Sequence, residues 1–270
     1  MSAVIKARLL VALRLIDTTT GRDVEEMDIK FAKDGETLQP MYKGDGFWVL
    51  LGDERIDFTV HIAARGFDEA DVPIRYETLD PNLPTCDVFL MPSEKNRKGG
   101  TVVTIHGTLP GLDSIETVAT GRPICLYHSV MERRGIIFIS LLPVQPGGRV
   151  NITENMRHAL LSEDGMRYDV FEITAGQTQT QFVLKDRIET EHKVNDRVCR
   201  IIYGRAGPDG GFVLKVRGDG STLPYLLHFT VGEDEYFRPI DVALENGEID
   251  LMKDAQKVYP MTGKETTEDE

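Results

Sequence analysis

Short runs in which apolar and polar residues alternate follow one another along the first third of the chain. Residues 9–16 carry one fully apolar face and one mixed face, which is typical of a strand with one side in a core. Residues 27–31 and 58–62 also alternate, whereas residues 47–51 are apolar on both faces and therefore predict a central strand. Two shorter runs complete the set, residues 72–76 and 86–91. Strands this short, separated by turns, predict a β-sandwich.

In this region a strand, a Thr-Gly turn, a second strand and an aromatic strand precede an apolar strand that ends at a glycine. The segments are Leu15-Ile-Asp-Thr-Thr-Thr-Gly21, Met27-Asp-Ile-Lys-Phe31, Gly46-Phe-Trp-Val-Leu50 and Phe58-Thr-Val-His-Ile-Ala-Ala-Arg-Gly-Phe67. Together they resemble the carboxypeptidase regulatory-like domains, although Asp-Val-Glu-Glu stands at residues 23–26, where that family usually has proline or small residues. The resemblance implies a seven-stranded, prealbumin-like sandwich that serves scaffolding, spacing or binding rather than chemistry.

A polar, basic stretch that ends in two glycines interrupts the strand pattern at residues 93–100. Such a composition is typical of a linker, so we expect one domain over residues 1–92 and a second over residues 101–260. Residues 261–270 are polar and acidic with nothing to bury, and they predict a disordered tail.

The second domain shows recurring strand-turn-strand units. They cover residues 125–142, 168–184, 198–216 and 225–240. Residues 153–161 predict one short helix, because Thr153 can cap it and Met156 shares a helical face with Leu160. The predicted fold class is therefore all-β: the seven-stranded sandwich, followed by an antiparallel, hairpin-rich β domain with one short helix.

Acidic residues outnumber basic ones by 44 to 31, which gives a formal net charge of -13 and a pI near 5.0. Because an acidic surface repels phosphate groups, we expect no nucleic-acid partner. No apolar run is long enough to span a membrane, and the run after Lys6 and Arg8 is too short for a signal peptide. Three widely spaced cysteines, Cys86, Cys125 and Cys199, predict free thiols. We expect a protein without membrane insertion that is cytoplasmic or released as part of a particle.

The sequence offers no motif that combines residues for catalysis, for metal binding or for a cofactor. The histidines lack zinc-hydrolase spacing, and His61, His128 and His228 lie within predicted strands, where we interpret them as structural. Glu189-Thr-Glu-His192 groups two carboxylates with an imidazole; we interpret it as a solvated loop, with a metal site as the minor alternative. We therefore predict no catalytic residue, no metal and no cofactor.

Two surface features are candidate contact sites. Trp48 and Tyr42 could form an aromatic platform for a sugar ring, although a tryptophan in a central strand is more often part of the core. Arg217-Gly218-Asp219 is an integrin-type tripeptide, and Gly-Asp suits the turn in which we expect it.

These observations favour a non-enzymatic structural or binding protein, an accessory component of a larger assembly such as a phage-tail-like or secretion particle. Its partners would be other proteins, including copies of itself, since sheet edges and faces are ready docking surfaces. Two alternatives remain. One is a carbohydrate or cell-surface binding module, and the other is an enzyme with an unrecognised site in the second domain.

Overall fold

A computed structural model describes residues 8–24, 28–44, 46–52, 54–93, 101–154, 156–188, 190–218, 224–241 and 247–258. The predicted fold class is confirmed in its main point, because these residues form an all-β protein. The described helical structure is one three-residue 3-10 turn, Tyr76–Thr78. No helix in the described part of the chain could cross a membrane.

The described residues from Arg8 to Met91 form a two-layer sandwich, called here the first sandwich. Its strands are β1 (Arg8–Asp17), β2 (Arg22–Asp23), β3 (Ile29–Lys33), β4 (Glu36–Leu38), β5 (Met41–Gly44), β6 (Phe47–Gly52), β7 (Phe58–Ala64), β8 (Ala70–Ile74) and β9 (Thr85–Leu90).

The first sandwich encloses a core between its two sheets. One sheet has the order β2-β1-β6-β5, with β9 added parallel to β1, and the other has the order β4-β3-β7-β8. Leu13 and Leu15 from the first sheet and Val60 and Ile62 from the second are fully buried between them. The alternation in the sequence therefore identifies the inward-facing residues correctly.

The chain after residue 100 builds two further units. Its strands are β10 (Thr101–Thr108), β11 (Leu112–Ala119), β12 (Cys125–Arg133), β13 (Ile136–Leu142), β14 (Arg157–Leu161), β15 (Tyr168–Gly176), β16 (Gln181–Leu184), β17 (Arg197–Tyr203), β18 (Arg205–Ala206), β19 (Gly211–Gly218), β20 (Pro224–Val231), β21 (Asp234–Asp241), β22 (Gly247–Glu248) and β23 (Gln256–Val258).

Six consecutive strands close into an antiparallel barrel. They pair in the order β12-β13-β16-β15-β14-β17, and β17 pairs back with β12. Ile139, Leu160, Ile173 and Val198 are fully buried inside. A barrel with so few strands is filled by its own side chains, and its closure leaves no unpaired strand edge. The interior of the barrel is therefore a packed hydrophobic core and not a ligand-binding cavity.

The remaining strands form a second sandwich, into which the barrel is inserted. A sheet of order β18-β19-β10-β22 covers the sheet that contains β11, β20, β21 and β23. Ile105, Leu214, Leu227 and Phe229 are fully buried between these two layers. Strand β17 belongs to both units, because its first half pairs with β12 and β14 and its second half pairs with β11.

The predicted short helix is wrong. Residues 157–161 form strand β14, which pairs with β15 and β17. Leu160 points into the barrel, and Ala159 and Leu161 pack on the other side against a separate core. A short run that is buried on both faces has no strand alternation, and periodicity alone cannot distinguish it from a helix.

Three of the four predicted hairpins are confirmed, and the third is wrong. β12 pairs with β13, β15 with β16, and β20 with β21. β17, however, joins the barrel, while β19 pairs with β10 and β18. Turn residues show where the chain reverses, but not which strand it meets afterwards. Residues 94–100 of the predicted linker and the predicted tail, residues 261–270, lie outside the described residues.

Candidate functional site

The outer face of the first sheet, which contains β1, β6 and β9, packs against the rest of the protein. Ile16 on this face is fully buried. Its partner on β9, Phe89, packs its ring against Tyr203 of β17, with the ring centroids 4.2 Å apart. Nearby, the buried Lys215 Nζ lies 2.6 Å from Asp68 Oδ2 and donates to the carbonyl oxygen of Pro92 at 3.2 Å. A buried ion pair of this kind requires good geometry, so these contacts fix the orientation of the first sandwich.

Beside this contact the first sandwich and the barrel separate to form a cleft of about 840 Å³, called here the acidic cleft. One wall is the outer face of the first sheet, with Arg14, Phe47 and Asp87. The opposite wall comes from the barrel, with Glu154 before β14 and Glu172 on β15. The cleft is therefore built by two units and exists only while they are docked.

Three carboxylates in the acidic cleft have partners. Asp23 accepts a hydrogen bond of 2.7 Å from Arg14 Nε. Glu154 accepts one of 2.7 Å from a backbone amide, and Glu172 lies 3.0 Å from Lys185 Nζ. Arg14 also lies over the ring of Phe47, 5.8 Å from its centroid. Among the described residues that line the cleft, Arg14 is the only arginine, and it is already paired with Asp23. It therefore leaves the negative charges of Asp87 and Glu154 to face the cleft.

Asp87 is the least compensated carboxylate of the acidic cleft. Among the described residues, no group donates a hydrogen bond to its side chain. Partial burial raises the pKa of Asp87, and the charges of Glu172 and Asp23 raise it further against the lowering effect of Arg14. A cationic group that entered the cleft would relieve this repulsion, so the cleft favours positive charge.

An apolar strip extends from the cleft along the outer face of the same sheet. It consists of Phe47, Val49 and Leu51 on β6, together with Met41, which pairs with Val49 from the edge strand β5. Their neighbours on β6 point into the core, and this alternation directs the strip outward. Leu51 is 46% exposed and Met41 is 42% exposed. The sequence indicates that β6 is apolar on both faces, but not that part of its outer face remains in contact with solvent.

A buried polar network connects the second sandwich to the barrel. Glu116 on β11 accepts hydrogen bonds of 3.1 Å from Arg157 and from the hydroxyl of Tyr168, and its Oε1 lies 3.1 Å from His228 Nδ1. The other ring nitrogen of His228 makes a close ion-pair contact of 2.6 Å with Glu235. No sequence motif indicates this network, because its five members come from five different strands.

The charges in this network stabilise one another. Burial alone would lower the pKa of His228, but its contacts with Glu116 and Glu235 outweigh burial and raise the pKa to about 9. Burial alone would raise the pKa of Glu116, but the hydrogen bond to His228 and the charge of Arg157 bring it below its ordinary value. At neutral pH the network therefore holds an imidazolium between two carboxylates, which makes it a structural connection.

His192 belongs to the segment Glu189–His192, for which the sequence leaves a metal site as the minor alternative. Its imidazole also lies between two carboxylates. Its side chain is almost fully buried, and its nitrogens lie 2.6 Å from Asp169 Oδ2 and 3.1 Å from Asp196 Oδ2. Burial would lower the pKa of His192, but these two carboxylates raise it. Glu189 lies outside the described residues, and those described contain no group of three or more His, Cys, Asp or Glu side chains suited to a metal.

The two candidate aromatic residues pair with each other on the neighbouring strands β5 and β6 of the first sandwich. Trp48 is 8% exposed, and its ring packs between those of Phe31 and Tyr42, at centroid distances of 5.2 and 4.9 Å. Tyr42 is 39% exposed. The indole is therefore mainly part of the core, and most of the surface available for stacking on a sugar belongs to Tyr42.

The integrin-type tripeptide begins within a strand rather than a turn. Arg217 and Gly218 are the last two residues of β19 and pair with Val102 and Thr101 of β10. Asp219 lies outside the described residues.

All three cysteines are free thiols, as the sequence predicts. Burial raises the pKa of both Cys125 and Cys199 to about 12, with the nearby thiol adding to the effect on Cys125. Since the thiolate is the reactive form, these two thiols stay protonated and unreactive at neutral pH.

Comparison with known proteins gives no family for the chain. No protein-family model matches it, and no curated protein shows a significant match to it.

Proposed function

We propose that this chain is a non-enzymatic structural or binding protein, an accessory component of a larger assembly that contacts a protein partner through the apolar strip. The observation that carries this proposal is the position of the strip, which begins at Phe47 in the lining of the acidic cleft and extends to the partly exposed Met41 and Leu51. Contiguous exposed apolar surface with a polar rim is a common feature of protein interaction sites.

The charge of the cleft indicates the chemistry of the partner. Asp87, Glu154 and Glu172 line the cleft next to Phe47. A partner segment with an apolar anchor flanked by lysine or arginine matches both surfaces, and the net charge of -13 would speed its approach. Since the first sandwich is fixed by buried contacts, the strip and the cleft are already arranged for binding, which reduces the entropy lost on association.

The carbohydrate-binding alternative depends on Tyr42 and Trp48. Because Trp48 is mainly buried, only Tyr42 offers a partly open ring there. A glycan array with the wild type and Tyr42→Ala tests this alternative directly, since a sugar bound at this position would lose the stacking contact in the variant.

The proposal is tested with Leu51→Lys, which places a charge on the strip at a residue that is 46% exposed. Ile136→Lys is the matched control, because Ile136 is 47% exposed but lies at the start of β13 in the barrel. Neither change should alter stability by more than about 0.5 kcal/mol. Sedimentation velocity measures self-association, and quantitative affinity capture from native lysate compares the partners retained by each bait.

We expect the wild type and Ile136→Lys to self-associate or to retain the same partner, and Leu51→Lys to lose it by tenfold or more. The cost of removing the lysine charge from water in an apolar contact is sufficient for such a loss. Equal retention by all three proteins would show that the strip is not the docking surface. A strictly monomeric wild type that retains no partner would count against the proposed function itself.

A further inference from the structure

A second concavity lies where the turn between β1 and β2 meets the turn between β11 and β12. It has a volume of about 380 Å³, and its polar lining comprises Thr19, Thr20, Arg122, Arg200 and Tyr225. The first sandwich contributes the two threonines, and the rest of the chain contributes the other three residues. We call it the arginine pocket, because it contrasts in charge with the acidic cleft.

Arg200 is held tightly in place but lacks a partner for its charge. On β17 it lies on the same face as Ile202, and Gly21 packs so closely on it that a Cβ there would lie 2.7 Å from Arg200 Cδ. Among the described residues, Arg200 makes no hydrogen bond and no ion pair within 4 Å. Its side chain is thus partly removed from water without receiving an acceptor in exchange, an arrangement that proteins usually avoid.

Other positive charges surround Arg200. Burial lowers the pKa of Arg200, the charge of Arg22 lowers it further, and the charge of Asp17 opposes both effects. Burial raises the pKa of Tyr225, which also lines the pocket, and the charge of Arg122 lowers it. Asp17 already accepts two hydrogen bonds from Thr19, at 2.8 and 2.7 Å. Positive charge therefore accumulates here in a chain whose net charge is -13.

We propose that the arginine pocket is a binding site for a small multivalent oxyanion, with Arg200 and Arg122 as its charged ligands. A guanidinium group presents a planar fork of donors that matches the oxygens of a phosphate or a carboxylate. The hydroxyl oxygen of Thr20 accepts a hydrogen bond of 3.4 Å from the backbone N–H of Arg22. The hydroxyl proton of Thr20 therefore remains available for donation to the anion. The volume of the pocket suits an anion of the size of a phosphate ester or a tricarboxylate. This inference does not depend on the proposed protein partner.

Isothermal titration calorimetry with inorganic phosphate and with citrate, at pH 7 and constant ionic strength, tests the proposal. Arg200→Gln and Arg122→Gln each remove one charged ligand. Arg205→Gln is the control, because it removes the same charge from an exposed position on β18. Saturable binding of phosphate alone would identify the phosphate class, binding of citrate alone would identify the carboxylate class, and binding of both would support the shared oxyanion chemistry.

We expect at least one probe to bind the wild type and Arg205→Gln equally, with a tenfold or greater loss of affinity in Arg200→Gln and Arg122→Gln. Without the anion, Arg200→Gln should unfold at the same temperature as the wild type or a higher one, because it removes an uncompensated charge. If Arg200→Gln does not fold, Arg122→Gln, whose side chain is exposed, decides the question. No saturable binding of either probe up to roughly 10 mM, or an equal loss in Arg205→Gln, would overturn the proposal.

Discussion

Raising the pH from 6.5 to 9 is expected to remove a large part of the stability that His228 contributes to the fold. The folded protein holds this imidazole between Glu116 and Glu235 with a pKa of about 9, whereas an unperturbed histidine has a pKa of 6.5. A group whose pKa is raised by folding stabilises the protein fully below the lower value. That stabilisation is lost as the pH rises through the higher value.

The size of the effect follows from the two pKa values. Each factor of ten in proton affinity corresponds to about 1.4 kcal/mol, so the difference between 6.5 and about 9 is equivalent to about 3 kcal/mol. The side chain of His228 is only 10% exposed, so solvent reduces this value little. His192 adds a change of the same sign, because its pKa is also raised in the folded state. His228 must therefore be isolated by substitution.

Urea unfolding of the wild type and His228→Gln, at several pH values between 6 and 9.5, measures this contribution. Urea is uncharged and does not screen the ion pairs, and a reductant keeps the thiols free. We expect the free energy of unfolding of the wild type to exceed that of His228→Gln most at pH 6 and the difference to shrink as the pH rises. His128→Gln, at an exposed position on β12, is the control and should follow the wild type. Parallel pH profiles for the wild type and His228→Gln would refute the ion-pair account of the network.

Four substitutions test the fold and the docking of its units. Leu160→Ala removes a fully buried side chain from the barrel and should lower the free energy of unfolding by about 2–5 kcal/mol in urea; a loss below about 1 kcal/mol would contradict the strand assignment. Gly21→Ala and Gly232→Ala both place alanine at a positive φ, of 56° and 59°, but only at Gly21 would the new Cβ meet other atoms. Gly21→Ala should therefore be the more destabilising in thermal unfolding, and equal effects would argue against close packing at that turn. Asp68→Asn leaves Lys215 buried without its carboxylate, and limited proteolysis should show the first sandwich released faster than in the wild type; unchanged cleavage would mean that the ion pair is dispensable for docking.

The sequence predicts those parts of the fold in which one face of a strand is buried and the other is not. Strands β3 and β7 follow this rule, and their inward residues Phe31, Val60 and Ile62 are all in the core. The rule fails where both faces are buried, as in β14, because the alternation on which it depends disappears. It also says nothing about barrel closure, since Val198 must pair with both Cys125 and Leu160, which are distant in sequence.

The candidate sites are less predictable than the strands, because each is formed by residues from separate units. The sequence shows that β6 is apolar on both faces, but which apolar residues remain exposed depends on where the barrel packs. His228 is recognisable as a histidine within a strand, which is what the structure shows. Its partners Glu116 and Glu235 become visible only when β11 and β21 flank β20 in the second sandwich.

The acidic cleft and the arginine pocket depend on the same docked arrangement, because each has one wall from the first sandwich and one from the rest of the chain. Substitutions can therefore separate damage to docking from damage to binding. Asp68→Asn, which weakens docking, should impair both partner capture and oxyanion binding. Leu51→Lys should impair only partner capture, and Arg200→Gln only oxyanion binding. If either of the last two changes abolished both activities, the two surfaces would be coupled, and the rigid attachment of the first sandwich would provide a physical route for that coupling.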